Sequence, residues 1–345
     1  MIEDARIEQE LTAWLRDRGS WGSDVRVAGL RRPSVGYASN TYLVDLVERS
    51  ADGPERIVLR LPPDRDTHLG ETLRRQVRVQ NALAGGGLPV PAPATYESDD
   101  RWLGRPFLVM PCIEGHVGGE VPAIDPWISA STPAQQAALY GEFTDRMADL
   151  HRFDWRAEPG LDEVVRGRDD RAVDHLDYWR RYLEWATDGA APAPLVAALD
   201  RCRATAPDDS SDHDPPTSLL WGDARLGNAI FDDDRHLVAL IDWETACVGP
   251  AELDLGYWLG LEAVLDEVMG SRPPGFPERA ETIARYAERL GRPLVDLDWY
   301  ETLGLLSAGC ISARLTVLAK GRPPTEAELA AHPVLARVEQ LQADA

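Results

Sequence analysis

Three oxygen-bearing side chains stand out by type and spacing. Asp223 and Asn228 sit five residues apart in Leu219-Leu220-Trp221-Gly222-Asp223-Ala224-Arg225-Leu226-Gly227-Asn228, a loop with glycine at 222 and 227. Asp242 follows nineteen residues after Asp223, at the end of an apolar run, in Leu240-Ile241-Asp242-Trp243-Glu244. A short hairpin between the loop and that run would bring all three groups to one edge. Two carboxylates and an amide oxygen are hard donors of the kind Mg²⁺ takes. Phosphoryl transfer asks for this set: a carboxylate to accept a hydroxyl proton, and an Asn and an Asp to hold metal on the phosphates. Read singly, each residue also fits an ordinary hairpin; the order D-x-x-x-x-N, apolar strand, D-W-E points to the chemistry.

The elements that must position these groups are legible around them. Residues 5–19 carry an amphipathic helical pattern. Residues 25–30, 41–47 and 56–61 read as strands separated by the small-residue turn Pro33 to Asn40 and the Asp52-Gly53 turn, an antiparallel meander. A helical stretch over 67–84 closes at Gly85-Gly86-Gly87, and 95–96 and 106–110 supply two further strands. Five strands and one helix within about 110 residues predict a small α+β domain. Beyond Gly115 the pattern turns helical: Leu139, Phe143, Met147 and Leu150 recur on one face, and helices are expected over 172–187, 193–204, 252–268, 276–290, 297–319 and 325–342. Short strands return at 218–220, 229–231 and 238–241, after a loop from Asp208 to Pro216.

Composition bounds the function. The 345 residues suffice for two domains, and 44% hydrophobic with 27% charged residues exclude wholesale disorder, collagen and a coiled-coil rod. With 58 acidic and 36 basic residues the formal charge is −22, which repels nucleic-acid backbones and anionic membranes; a cationic small substrate would suit it, as would simple solubility. The four cysteines, at 112, 202, 247 and 310, show no paired spacing, so a reduced, cytoplasmic setting is expected, with neither disulfide framework nor structural zinc. The start Met1-Ile2-Glu3-Asp4 lacks the basic and apolar regions of a secretory signal, and no transmembrane run is expected. Lys320 is the only lysine, so any lysine-dependent chemistry has a single candidate.

The segment from Trp221-Gly222-Asp223 to Asn228, with Asp242-Trp243-Glu244 and Gly104-Arg105-Pro106-Phe107-Leu108-Val109-Met110, resembles the aminoglycoside phosphotransferase family over roughly residues 25 to 320. The subgroup it is most similar to is the kinase-like domain of certain acyl-CoA dehydrogenases. The resemblance implies an α+β, bilobal protein-kinase-like fold: a nucleotide-binding lobe over 1–110, with a small antiparallel sheet and one helix, a hinge at 111–115, and a larger helical lobe over 116–345 with the catalytic loop and acceptor site. It implies Asp223 as catalytic base, Asn228 and Asp242 as Mg²⁺ ligands, and Asp254 as the carboxylate that braces the loop. Trp221 replaces the family's histidine; an indole can pack and donate one hydrogen bond but cannot titrate.

In kinase-like folds a third-strand lysine pairs with a helix glutamate. Here Arg60 in Ile57-Val58-Leu59-Arg60-Leu61 takes the lysine's place, its fork suited to phosphate oxygens, with Gln76 as a neutral partner and Glu71 as the alternative. By the same resemblance Ser39, in the turn 34–40, would touch phosphate, Met110 would back the base pocket, and the Pro111 carbonyl and Ile113 N–H would bind the base edge. Arg225 is balanced between phosphate and a structural ion pair. His151 reads as a packing histidine at a helix end, Glu244 as a neighbour or a second metal ligand, and Trp155, Trp179, Tyr182 and Trp185 as packing. The function implied is phosphorylation of a small-molecule hydroxyl with Mg²⁺ and ATP or GTP. The acceptor would be an aminoglycoside or aminosugar antibiotic, or a metabolic hydroxyacyl or choline-like compound. A nucleotide-binding pseudokinase is the reading from another class.

Overall fold

The computed structural model describes residues 4–33, 40–48, 54–70, 72–161, 171–207 and 216–344. Ser39 and most of its turn, Asp52-Gly53, Glu71 and most of the Asp208–Pro216 loop lie outside the described residues. The chain divides into two compact units, Met1–Glu114 and Gly115–Ala345.

In the first unit, α1 (Asp4–Arg18) and α2 (Thr72–Gly85) flank a five-stranded antiparallel sheet. Its strands are β1 (Arg26–Arg31), β2 (Asn40–Val47), β3 (Arg56–Leu61), β4 (Thr95–Glu97) and β5 (Phe107–Pro111), ordered β1-β2-β3-β5-β4. Strand side chains alternate between faces. Tyr42, Val44, Leu46, Ile57, Leu59, Phe107 and Val109 pack on Leu11, Trp14 and Leu15 of α1. Val58, Leu108 and Met110 pack on Leu73 and Val77 of α2. Arg60, two residues after Val58, therefore falls on the α2 face of a strand buried on both sides.

The second unit is mainly helical. In chain order it contains β6 (His116–Val117), α3 (Pro126–Ser129), α4 (Pro133–His151), α5 (Ala172–Ala186) and α6 (Ala193–Ala204). Then follow β7 (Thr217–Leu220), β8 (Ala229–Phe231), β9 (Leu237–Leu240), β10 (Cys247–Pro250) and α7 (Glu252–Met269). The chain closes with α8 (Arg279–Leu290), α9 (Leu297–Lys320), α10 (Glu326–Ala330) and α11 (Pro333–Asp344). Thr132 caps α4: its hydroxyl accepts from Gln135 N–H while the Gln135 side chain accepts from Thr132 N–H at 2.9 Å.

Four differences from the sequence reading have local causes. The expected helix over 325–342 is two, because Pro333 has no N–H to continue α10 and instead opens α11. The helix expected from 67 begins, as α2, at Thr72. Two strands escape notice: β6 is two residues long, and β10 ends in Gly249-Pro250, an edge-strand composition that pairs antiparallel with β7. Finally, α9 is long and apolar enough to span a membrane, with mean hydropathy 1.5 over 18 residues, although no such run was expected. It packs against α5, α6, α7 and α11, and its buried Glu301 pairs with Arg337 at 3.0 Å, so within this unit it is a core helix.

All four cysteines are free thiols, and burial pushes those of Cys202 and Cys310 up to about 12, where they are poor nucleophiles.

Candidate active site

The loop after β7 is held by its backbone. Asp254, in the first turn of α7, accepts from Trp221 N–H at 2.6 Å and from Gly222 N–H at 2.9 Å, one bond to each oxygen. That carboxylate is buried, and His151 Nε2 lies 3.0 Å from it while His151 Nδ1 bonds to the Tyr286 hydroxyl. Helices α4, α7 and α8 thus converge on two peptide groups. Trp221 is fully buried, stacks on Trp243 with centroids 5.4 Å apart, and donates Nε1–H to Ile241 O at 2.9 Å. The indole packs and makes one hydrogen bond, as its chemistry predicts.

Gly222 has φ +82°, and a Cβ there would sit 2.4 Å from Thr245 O. Gly222→Ala therefore meets both a left-handed backbone and a backbone clash. It is expected to cost about 2 kcal/mol or more, read as a lower thermal midpoint in a melt.

Asp223 follows with its side chain a quarter exposed and three donors upon it. Tyr257 OH donates to Oδ1 at 2.8 Å, and Asn228 Nδ2 donates to Oδ2 at 2.7 Å and to the Asp223 carbonyl at 2.9 Å. Arg225 Nε lies 3.0 Å from Oδ2 and 3.2 Å from Oδ1, and its Nη1 bonds to Glu120. Burial works against the Arg225 charge, but Asp223 and then Glu120 outweigh it and hold the guanidinium above its usual range. Arg225 thus forms ion pairs with Asp223 and Glu120.

The β8–β9 hairpin carries the rest. Ala229 pairs with Leu240, and Ile241 N–H donates to Asn228 O at 2.9 Å. Asn228 precedes Ala229 and Asp242 follows Ile241, so both residues stand at the same end of the hairpin. Asp242 adopts φ 63°, a left-handed conformation that aspartate tolerates better than most side chains. Two acceptors on Asp223 require the Asn228 amide to face them with its NH₂, which leaves Oδ1 for a cation. With the Asp242 carboxylate this makes two hard oxygen donors, suited to Mg²⁺, which keeps waters and takes its other ligands from substrate phosphates. Among the described residues no group of three or more His, Cys, Asp or Glu is placed to hold a metal alone.

The residues singled out for the nucleotide belong to the first unit. Arg60 and Gln76 are buried and bonded, Arg60 Nη1 to Gln76 Oε1 at 3.0 Å. Met110 is buried, with Gln80 Nε2 3.4 Å from its sulfur. Pro111 is the last residue of β5, opposite Ile57, and Ile113 precedes the boundary after Glu114. Ser39 lies outside the described residues.

Tyr257, Glu120 and the His151 contact to Asp254 were not picked out in the sequence. Their partners are 34, 105 and 103 residues away, beyond any local pattern. Tyr257 does stand three residues after Asp254, one helical turn along the same face, and that was the available signal. In the second unit a pocket beside the loop is lined by Glu120, Arg225, Trp258, Leu261, Leu265 and Phe276, among others.

Comparison with known proteins agrees on the architecture. The profile of the phosphotransferase enzyme family APH matches residues 29–300. Acyl-CoA dehydrogenase family member 11 of Gallus gallus is 31% identical over 186 residues, covering 53% of this chain and 22% of that protein. The match to its Rattus norvegicus counterpart covers 28% of that protein, so the chain spans under a third of the length of these relatives. Among solved structures, a Ralstonia eutropha JMP134 protein provisionally described as an aminoglycoside phosphotransferase superimposes with TM-score 0.69 at 22% identity, covering 97% of each chain. A choline/ethanolamine kinase family protein from Mesorhizobium loti superimposes with TM-score 0.56 at 14% identity, covering 97% of this chain and 94% of that one. Both structural likenesses speak for the fold alone.

Proposed function

We propose that this chain, which belongs to the APH phosphotransferase enzyme family, transfers the terminal phosphoryl group of ATP or GTP to a hydroxyl of a small molecule in a Mg²⁺-dependent reaction. The observation that carries this reading is the Asp223–Asn228 contact at the end of the hairpin that also bears Asp242, on a loop braced by Asp254. A module that only bound nucleotide would have no use for Asp223 as a proton acceptor.

In this reading Asp223 orients the acceptor hydroxyl and takes its proton as the bond to phosphorus forms. Tyr257, Asn228 and Arg225 fix the carboxylate. Asn228 Oδ1 and Asp242 would hold Mg²⁺, which would neutralise charge on the phosphates. Arg60 would bind nucleotide phosphate, with Gln76 holding its guanidinium. Met110, Pro111 and Ile113 would meet the base, and Ser39 the phosphates. The expected site of action is the cytoplasm.

The lining of that pocket supports a hydroxyacyl acceptor over the cationic ones, aminoglycoside or choline-like. Its walls are largely apolar, and each of its carboxylates already meets an arginine: Glu120 meets Arg225, and Glu262 and Asp266 meet Arg272. A polycationic aminoglycoside would find no unpartnered row of acids there; an alcohol on a mainly apolar body would be better matched. The test is a screen of hydroxyl acceptors, aminoglycosides and apolar alcohols side by side, with MgATP and MgGTP, reading phosphorylated product by mass. Product from aminoglycosides alone would reverse the preference; no product from any alcohol would count against the kinase reading.

A further inference from the structure

We propose that Tyr257 is a positioning residue for phosphoryl transfer: its phenol holds the Asp223 carboxylate in the orientation that meets the acceptor hydroxyl. The inference rests on the reading of Asp223 as the residue that receives that hydroxyl.

Of the three side chains bonded to Asp223, Asn228 and Arg225 ride on the same loop and move with it. Tyr257 comes from α7, and its 2.8 Å bond ties the carboxylate to a helix. One turn earlier, Asp254 of the same helix binds the Trp221 and Gly222 N–H groups. So α7 grips the loop twice, once by backbone and once by the reacting side chain. The helix is itself located closely by α9: a Cβ on Gly304 would fall 2.8 Å from Tyr257 Cα, and one on Gly256 would fall 2.6 Å from Glu301 N. At that approach neither helix has room for a side chain between them, so α9 backs Tyr257 directly.

The phenol is a dependable donor. Burial first, and then the charge of Asp223, push its ionisation well above the ordinary range, so it keeps its proton beside a carboxylate. Without it, Oδ1 would keep only Arg225 Nε at 3.2 Å, while Oδ2 keeps Asn228 at 2.7 Å and Arg225 at 3.0 Å. The bonding would then be lopsided, and a partly exposed carboxylate would be drawn toward Asn228 and Arg225, off the line of attack.

The experiment compares wild type with Tyr257→Phe, which keeps the ring and loses the hydroxyl. The probes are MgATP and MgGTP, with water standing in for the alcohol and nucleoside diphosphate release as the readout. The expected result is a fall in kcat of about 10- to 100-fold, since small misplacements of a reacting group cost that much. KM for nucleotide should stay within about twofold and the melting midpoint within about 2 °C. A merely structural role would lower the melting midpoint or the active fraction and leave kcat per folded molecule alone. Gly304→Ala, which displaces the Tyr257 backbone without touching Asp223, should lower kcat in the same direction. Wild-type kcat in Tyr257→Phe, with Asp223→Ala inactive, overturns this inference and leaves the kinase reading standing. Wild-type kcat in Asp223→Ala, or no diphosphate release by wild type with water or with any alcohol of the acceptor screen, overturns the reading beneath it.

Discussion

Alanine at position 223 is expected to lower turnover by about 10³-fold or more while nucleotide affinity stays within a few-fold. The carboxylate is the one acidic group at which Tyr257, Asn228 and Arg225 converge, and it is exposed enough to meet a substrate. In the proposed mechanism, removing it takes away both the hydroxyl's orienting partner and its proton acceptor. Nothing that pairs Arg60 with Gln76 changes, so the nucleotide binding proposed for the first unit should persist. Steady-state kinetics and a nucleotide titration on the same preparation separate the two quantities. Normal turnover in Asp223→Ala would remove the base assignment.

The second large effect is on stability. Asp254→Ala strips the acceptor from two peptide N–H groups, that of buried Trp221 and that of half-buried Gly222, and leaves buried His151 Nε2 without its carboxylate. Each buried donor left unsatisfied costs about 1–3 kcal/mol, so a loss of about 3–5 kcal/mol is expected. It should appear as a lower denaturant midpoint at unchanged slope. Asp254→Asn keeps one carbonyl oxygen and should fall between alanine and wild type. An Asp254→Ala protein with the wild-type midpoint would show that the loop is held by other means.

Part of this architecture was legible in the residues. The spacing from Asp223 to Asn228 and the apolar strand before Asp242 encode a loop and hairpin that local chain geometry closes, and the structure closes them through Ile241 and Asn228. Strand alternation places Arg60 on the α2 side, where Gln76 meets it sixteen residues on. The roles of Asp254 and the base-edge residues came with family resemblance rather than with spacing; the bracing bonds of Asp254 are now visible as geometry. The contacts of Asp223 with Tyr257, and of Arg225 with Glu120, were illegible because tertiary packing brings them together across long stretches of chain. His151 looked like a packing residue at the end of α4, and it is buried as one; its second duty to Asp254 depends on where α7 passes. Strand β10 was hidden by Gly249-Pro250, and the break between α10 and α11 was available in Pro333 but overridden by the helical pattern on either side.

The central claim is that Asp223, Asn228 and Asp242 form one phosphoryl-transfer centre with a divalent cation on the latter two. Its most direct test is a titration of Mn²⁺, as a paramagnetic substitute for Mg²⁺, into wild type and Asp242→Ala with ATP or GTP present, followed by electron paramagnetic resonance. The account predicts that wild type retains the Mn²⁺–nucleotide complex and that Asp242→Ala binds it at least about tenfold more weakly, as expected for loss of a charged oxygen ligand. Equal retention by both proteins would contradict it.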